Sequence, residues 1–559
     1  MSHDTGGATR RTVLRGLVGA AFASGMADAA AAQADDANYE TEDLRIESWD
    51  GVELACTLFT PTDAAPGSAP YPSMLMTHGW GGDRSEAMGP ELFASEGYVV
   101  LTYDSRGFGE SGGEAGSDGP NEVKDAKRLV TWLGNRDEVR TDRPVDGRPN
   151  PRVGMIGPSY AGGIQLNTAA RDDRLDAIVP VIPWYDLKFS LEPNGVVKRG
   201  WGSLLYAVGV TGSRGVTSGD GQPNERDLES GLDANIHQAF AEGTALNGFS
   251  DDSDAFYRAR SPGYKMDAIA ASDTPTLTIE GWPDTLFIPN EGIWIHRDLC
   301  ERDVDSRLLL YDSGHVLELV TDPDSEYLQQ QFQAALDRGF SFIEEHVRRS
   351  APNRPTVGPT RRQRVEWWED QTESWRLAET IPPQAAEPES FRLGETPGAG
   401  DQSVVLNSAA PTSTSQLFPR DEDAAPGATA AQFDFPVEEP FEVAGTPTID
   451  ATVRPLGAAS HLFVKCSLVR DGEAELIDNQ AMPFRVERDR DAPGEAITVS
   501  GELVAFQRYF QPGDVLRVTV ASTDAMFNEA RSSAGFVIRH SDDAPATVTF
   551  PVVRGSTPD

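Results

Sequence analysis

Lysine is nearly missing from this chain. Six of its 48 basic residues are Lys, at positions 124, 127, 188, 198, 265 and 465, and arginine supplies the rest. Positive charge as a whole is short, with 88 acidic residues against 48 basic ones and a formal net charge of -40 at pH 7. The acids are dispersed along the chain and not gathered in a tail. The surface they imply repels nucleic acid and anionic membrane, so neither is an expected partner. Such a surface suits molar salt, where counter-ions screen the self-repulsion, and salt adaptation is the expectation. The plainer alternative is an ordinary acidic protein kept soluble by its charge. Cysteine is scarce as well: Cys56, Cys300 and Cys466 lie far apart with no CxxC pair. That pattern argues against a disulfide framework and against a zinc site, and it leaves buried free thiols expected at 56 and 466. Long apolar runs are the third lack. None of transmembrane length follows the N-terminus, so stable membrane insertion is not expected.

Residues 1–34 read as an export signal. Arg10-Arg11-Thr12-Val13-Leu14 is a twin-arginine start, Val13 to Ala23 is a short apolar stretch, and small residues around Ala30 to Ala34 offer an A-x-A cleavage site. The stretch is too short to span a bilayer and no cysteine follows it, so export by the twin-arginine route to the medium or cell surface is expected, without a lipid anchor. A disordered Ala-rich tail is the alternative.

From residue 35 the chain divides by pattern. Residues 46–61 alternate apolar positions about Asp50-Gly51, which predicts a hairpin. Short apolar strands then alternate with helices: strands at Pro72 to Thr77, Tyr98 to Tyr103 and Arg152 to Ile156, helices at Glu86 to Glu96, Glu122 to Leu133 and from Gly163. This rhythm implies a mostly parallel sheet covered on both faces, an α/β domain whose first part is 35–186. Residues 187–262 break it. They are rich in Gly, Ser and Asp with only weak helical pattern, and read as an inserted cap over the sheet's C-terminal edge. The second α/β part, 263–350, brings strands Thr276 to Glu280 and Arg307 to Tyr311 and a helix from Ser325 to His346. Residues 351–559 read as a Pro- and Arg-rich linker followed by an all-β sandwich of jelly-roll type. Its alternating strands are Phe441 to Arg454, His461 to Val469, Ala496 to Phe506, Val515 to Ala521 and Ala546 to Val553, with a loop at Asp421 to Ala431.

Acyl transfer on such a sheet needs a serine at a sharp strand-to-helix turn, where Oγ is exposed and helical N–H groups face the developing oxyanion. Val153-Gly154-Met155-Ile156-Gly157-Pro158-Ser159-Tyr160-Ala161-Gly162-Gly163 has that form, with Ala161 in place of the second Gly of the common G-x-S-x-G pattern. A serine that merely caps a helix is the bland alternative. The base must be histidine, and chain order Ser, acid, His disfavours His78 and leaves His237, His296, His315 and His346. Only His315 follows an apolar strand directly, where such sheets place their sites. Asp284, after Thr276-Leu277-Thr278-Ile279-Glu280-Gly281-Trp282-Pro283, is the matching acid. Asp312 is its rival, but it shares His315's own short loop. The oxyanion donors expected are the backbone N–H groups of Tyr160 and of Trp80, the latter in His78-Gly79-Trp80-Gly81-Gly82. No metal or organic cofactor is required by this chemistry.

With these residues placed, the chain resembles the cocaine esterase and X-Pro dipeptidyl-peptidase family of α/β-hydrolases. The matching pieces are Asp50-Gly51-Val52-Glu53-Leu54, Tyr103-Asp104-Ser105-Arg106-Gly107-Phe108-Gly109-Glu110-Ser111-Gly112, the Gly157 to Gly162 elbow, Gly281-Trp282-Pro283-Asp284 and Ser313-Gly314-His315. Trp375-Arg376 with Pro382-Pro383 resembles the start of the family's C-terminal β domain, and Ala444-Gly445-Thr446-Pro447 a strand within it. The resemblance implies an α/β-hydrolase fold with a cap, a C-terminal jelly roll, and a Ser159–His315–Asp284 triad. Cocaine-esterase-like members use a tyrosine hydroxyl in the oxyanion hole. The matching position here is Trp80, which leaves a backbone N–H as the donor.

The expected activity is that of a serine hydrolase acting through an acyl-enzyme on a small ester or amide, or on a short peptide. An esterase is the first reading and an X-Pro dipeptidyl-peptidase the second, since the latter must grip a free α-amine with buried carboxylates. The cap aromatics Trp184, Tyr185, Trp201 and Tyr206 are read as an apolar pocket or as core. A catalytically inert surface- or glycan-binding protein is the non-enzyme alternative.

Overall fold

The computed structural model describes residues 38–213, 231–315, 325–349, 357–394, 402–405, 430–487, 495–530, 535–540 and 545–555. The expected export signal and all but the last two residues of the 421–431 loop lie outside these.

Strands β1 (Tyr39–Glu47) and β2 (Glu53–Pro61) form the expected hairpin. They are followed by β3 (Ser73–Met76) and β4 (Val99–Tyr103), a small separate hairpin of β5 (Thr141–Val145) and β6 (Arg148–Pro151), then β7 (Val153–Pro158), β8 (Leu175–Val181), β9 (Thr276–Gly281), β10 (Ser306–Tyr311), β11 (Val365–Glu369) and β12 (Ser374–Ala378). Ten of these make one sheet, ordered β1-β2-β4-β3-β7-β8-β9-β10-β11-β12. Neighbours from β4 to β11 run parallel, and the antiparallel pairs lie at the two edges. The central strands are buried along almost their whole length, as parallel strands covered on both faces must be.

Helices α1 (Pro90–Ser95), α2 (Pro120–Leu133) and α3 (Tyr160–Ala169) precede the insertion, which carries α4 (Leu187–Leu191), α5 (Arg199–Ser213), α6 (Ala234–Leu246) and α7 (Asp251–Arg258). Then come α8 (Met266–Ala271), α9 (Pro289–Glu301) and α10 (Glu326–Ile343). One face of the sheet packs on α2, α3 and α9 through Leu129, Leu133, Ile164, Leu166, Ile295 and Leu299. The other packs on α1 and α10 through Phe93, Ala94, Leu336, Phe340 and Ile343. The helix expected over Glu86 to Glu96 is divided into a 3-10 turn at Arg84–Glu86 and α1. The break falls at Gly89, which takes φ 71°, and Pro90 restarts the helix at its first position. The weakly patterned insertion is built in its described part from the four helices α4 to α7, joined by short turns and loops.

Past residue 350 the structure corrects the expectation of linker and sandwich alone. Strands β11 and β12 extend the ten-stranded sheet, β11 pairing parallel with β10 at Leu308↔Val365, Leu309↔Glu366 and Leu310↔Trp367. The sandwich proper follows, as sheets of eight and five strands around a core that includes Val443, Ile449, Val453, Leu462, Val518 and Phe550. Val515–Ala521 lies where the alternation places it. The single strand expected over Phe441 to Arg454 is two, Phe441–Gly445 and Thr448–Pro455, the break falling at Thr446-Pro447, where Pro has no N–H for a ladder. Strand Ile497–Glu502 likewise ends before a new strand at Phe506–Phe510.

Candidate active site

Three segments after the C-terminal ends of β7, β9 and β10 converge. Ser159 sits between β7 and α3 with φ 56° and ψ -117°, a conformation that L residues rarely hold and that aims the side chain off the sheet edge. Its N–H donates to the Val181 carbonyl at 2.8 Å, and its carbonyl accepts from Gly162 and Gly163 at 2.7 and 3.0 Å. The crowding explains the local sequence. A Cβ on Gly157 would lie 2.6 Å from the Ala161 Cβ, so the alanine that departs from the common pattern fills the space the glycine leaves. Tyr160 opens α3, and its N–H therefore has no intrahelical acceptor.

The structure brings the three expected side chains together. His315 Nε2 is 2.9 Å from Ser159 Oγ, and Nδ1 is 2.7 Å from Asp284 Oδ2. Asp284 is fully buried. Its Oδ2 also accepts the His315 backbone N–H at 2.8 Å, while Oδ1 accepts those of Leu286 and Phe287, each at 2.9 Å. All four donors converge on the two carboxylate oxygens and hold the acid in place. Two edge-on aromatic contacts hold the imidazole plane, Phe287 at 5.1 Å and Trp201 at 5.9 Å between centroids.

The acid turn is itself held from outside the sheet. Lys198 in the cap donates to the Thr285 and Leu286 carbonyls at 2.9 and 2.8 Å. Trp201 Nε1 donates to Thr285 Oγ1 at 3.1 Å. From the sandwich, Gln480 Nε2 donates to the Asp284 and Trp282 carbonyls at 2.8 and 3.2 Å. Nearby, burial pushes Glu291 up to about 7, although it accepts from the N–H groups of Tyr185 and Asp186 and from Ser190 Oγ. Burial also raises Glu280 well above the usual carboxylate range, and its Oε2 has no partner.

A cavity of ≈ 110 Å³ opens at Ser159. Trp80, Tyr160, Trp184, Leu205, Tyr206 and Phe240 give it an apolar wall, and Asn528 of the sandwich reaches it. Among the described residues lining it there is one charged group, Arg199, and no carboxylate. The Trp80 side chain ties the loop to the cap: its indole N–H donates to the Leu205 carbonyl at 2.8 Å, and its ring packs edge-on against Phe108 and Tyr160. Of the cap aromatics, Trp184 and Tyr206 line the cavity. Trp201 packs on the imidazole, and Tyr185 faces Trp294 and Asp298 instead.

The other histidines are engaged elsewhere. His78 is buried, with Nδ1 on the Gly79 carbonyl and Nε2 accepting the Ser105 N–H, which fixes a neutral tautomer under the His78–Gly82 loop. Burial lowers His296 to about 3 and His346 to about 4. His237 meets the Tyr206 hydroxyl. The rival acid Asp312 accepts from the Tyr327 hydroxyl. Asp305, Glu345 and His346 are grouped closely enough to share a metal ion, but Arg307 already bonds both carboxylates and Arg361 pairs with Asp305. This group lies at the start of β10, the opposite edge from His315. The thiols of Cys56 and Cys466 are pushed up to about 12 by burial, in keeping with inert sulfur.

Comparison with known proteins agrees with this architecture. Residues 50–317 match the family model described as X-Pro dipeptidyl-peptidase (S15 family), and residues 358–529 match that of the X-Pro dipeptidyl-peptidase C-terminal non-catalytic domain. Among solved structures, an alpha-amino acid ester hydrolase is similar at TM-score 0.68 and 18% identity, over 93% of this chain and 97% of that one. A CocE/NonD family hydrolase from Staphylococcus aureus is similar at 0.65 and 15%, over 92% and 94%. At these identities the likeness is one of fold. The quorum-quenching protein AidA of Acinetobacter baumannii (strain MDR-ZJ06) is 35% identical over 147 residues, which is 26% of this chain and 44% of that protein. The chain spans less than half the length of the curated relatives it matches first.

Proposed function

We propose that this chain, which belongs to the X-Pro dipeptidyl-peptidase (S15) family of hydrolases, cleaves esters of apolar acyl groups with Ser159 as nucleophile, His315 as base and Asp284 as orienting acid. His315 Nε2 takes the Ser159 Oγ proton as Oγ attacks the carbonyl carbon. The backbone N–H groups of Tyr160 and Trp80 receive the oxyanion. The same proton then passes to the departing alcohol, leaving an acyl-enzyme, and water activated by His315 releases the acid. Asp284 holds the imidazole tautomer and stabilises the imidazolium without taking its proton.

The cavity's lining carries the choice of ester over dipeptide. A free α-amine entering a desolvated site needs an opposing carboxylate, because an unpaired buried ammonium is strongly disfavoured. The described lining supplies only apolar groups, a few neutral polar ones and Arg199. The second reading, an X-Pro dipeptidyl-peptidase, is favoured by the family models' own description. The same proposal includes export through the N-terminal signal and adaptation to high salt.

Two measurements test it. A fluorophosphonate probe should label the native chain and not Ser159→Ala, whereas an inert binding protein labels in neither form. Aryl or short-chain esters should then show higher kcat/KM than Gly-Pro or Ala-Pro anilides. Anilides ahead by tenfold, about 1.4 kcal/mol in transition-state binding, would put the peptidase in the ester hydrolase's place.

A further inference from the structure

Lys198 stands out in a chain with so few lysines. It is 4% exposed, lies in the cap immediately before α5, and forms no ion pair with any described carboxylate. Its ammonium instead donates to two backbone carbonyls, those of Thr285 and Leu286, the residues directly after Asp284. Burial lowers it to about 8, against the raising influence of Glu291 and Asp284. It is therefore largely charged at neutral pH. An ammonium taken out of water without a carboxylate partner is strongly disfavoured unless its surroundings offset the charge. The surroundings here are two carbonyl dipoles and the field of the triad acid.

We propose that Lys198 is a positioning residue through which the cap clamps the Asp284 turn and balances its buried charge, with Gln480 of the sandwich clamping the same turn. This rests on the Ser159–His315–Asp284 reading above. The turn between Asp284 and Phe287 makes two of the acid's hydrogen bonds and one of the imidazole's ring contacts. Groups that fix its carbonyls therefore fix the acid and the base together. The clamp also joins three parts of the fold at one turn: Lys198 from the cap, Gln480 from the sandwich, and β9 from the sheet.

The charge has a readable effect. The titratable groups facing Lys198 are Asp284 from the acid turn and Glu291 from α9. Those around the imidazole are Asp284 and Ser159, with Glu280 of β9 behind the acid. A cation beside the triad opposes a second positive charge there, so its removal should move the acid limb of the pH–rate profile upward.

The test measures kcat, KM and the pH dependence of kcat/KM for aryl-ester hydrolysis by the full chain. The variants are Lys198→Met, Lys198→Gln, Gln480→Ala and the Lys198→Gln/Gln480→Ala double variant, with near-UV circular dichroism to establish folding and Ser159→Ala as control. Lys198→Met should lose tenfold or more in kcat with KM changed less than twofold, and its acid limb should move to higher pH. Lys198→Gln, which keeps a donor without the charge, should recover part of kcat and retain the displaced limb. Gln480→Ala, a neutral change that leaves folding readable even if Lys198→Met does not fold, should lower kcat threefold or more. The double variant should lose less than the product of the single losses, because both groups act on one turn. Folded Lys198 variants with native kcat and an unmoved limb, or a rise in KM alone, would overturn the clamp. So would strictly multiplicative losses. If Ser159→Ala stays active, the hydrolase reading fails and takes the clamp with it. If Ser159→Ala is dead while the clamp variants behave as native, only the clamp is lost.

Discussion

Phe287 stands edge-on to His315, ring centroids 5.1 Å apart and planes at 90°, and its own backbone N–H donates to Asp284. One residue thus bonds the acid, braces the base and walls the cavity at Ser159. Positioned groups of this kind act as a unit, which sets what their removal should do.

Ser159→Ala should leave the fold intact and lower turnover by about a thousandfold or more, His315→Ala by about as much, and Asp284→Asn somewhat less. The readout is ester turnover on protein with native circular dichroism. Near-native activity in Ser159→Ala would refute the nucleophile.

Gly202 lies on α5 at the cavity, and a Cβ there meets nothing within 4 Å. Gly202→Leu should therefore occupy acyl space without strain. We expect kcat/KM to fall about tenfold or more for octanoyl esters while acetyl esters lose about twofold or less, since one buried methylene is worth about 0.8 kcal/mol. Equal losses on both would mean that the cavity is not where the acyl chain goes.

Charge of -40 predicts that stability rises with salt, because the screening length shrinks from about 10 Å at 0.1 M to about 3 Å at 1 M. The thermal midpoint should climb by about 5 °C or more between low and molar salt. A midpoint equal or higher at low salt removes the halophile reading.

Glu291 is held near 7 in the fold, above its ordinary value of 4.5. A raised acid binds its proton more tightly in the native state, so its contribution is full below about 4.5 and is lost as pH climbs to about 7. Glu291→Gln can still accept from the Tyr185 and Asp186 amides and can donate to Ser190. It should flatten this fall, by on the order of 2 kcal/mol between pH 5 and pH 8 in denaturant unfolding. A pH dependence identical to the native chain's would show that Glu291 does not carry it.

The three residues proposed as the triad were legible because each comes within a few residues of the end of a buried strand, and because that placement, together with chain order, singles out His315 among four candidate histidines. Other features depend on contacts distant in sequence. The helices of the insertion were obscured by glycine, which lowers helix propensity by about 1 kcal/mol per residue. In α5 two of those glycines are packing surface: a Cβ on Gly209 would strike the Trp80 ring at 2.6 Å, and one on Gly212 the Gly81 carbonyl at 2.2 Å. Lys198, Gln480 and Asn528 are isolated polar residues in unremarkable local sequence. Only the docking of cap and sandwich onto the acid turn and the cavity gives them a place in the site. Strands β11 and β12 were read with the sandwich because an antiparallel pair looks alike in either sheet.

That last pair has a practical bearing on dissecting the protein. A fragment cut at 350 would keep every triad residue yet leave β10 as a bare parallel edge, with the N–H and C=O groups that β10 turns toward β11 along Leu308 to Leu310 unsatisfied. Exposed apolar edges recruit strands from other chains, so such a fragment should form polymers before it could be assayed. The ten-stranded sheet is complete only through Ala378, and even a fragment ending there would forfeit Gln480 and Asn528. The two family-sized pieces thus share one site, and swapping sandwiches between relatives should exchange parts of it along with them.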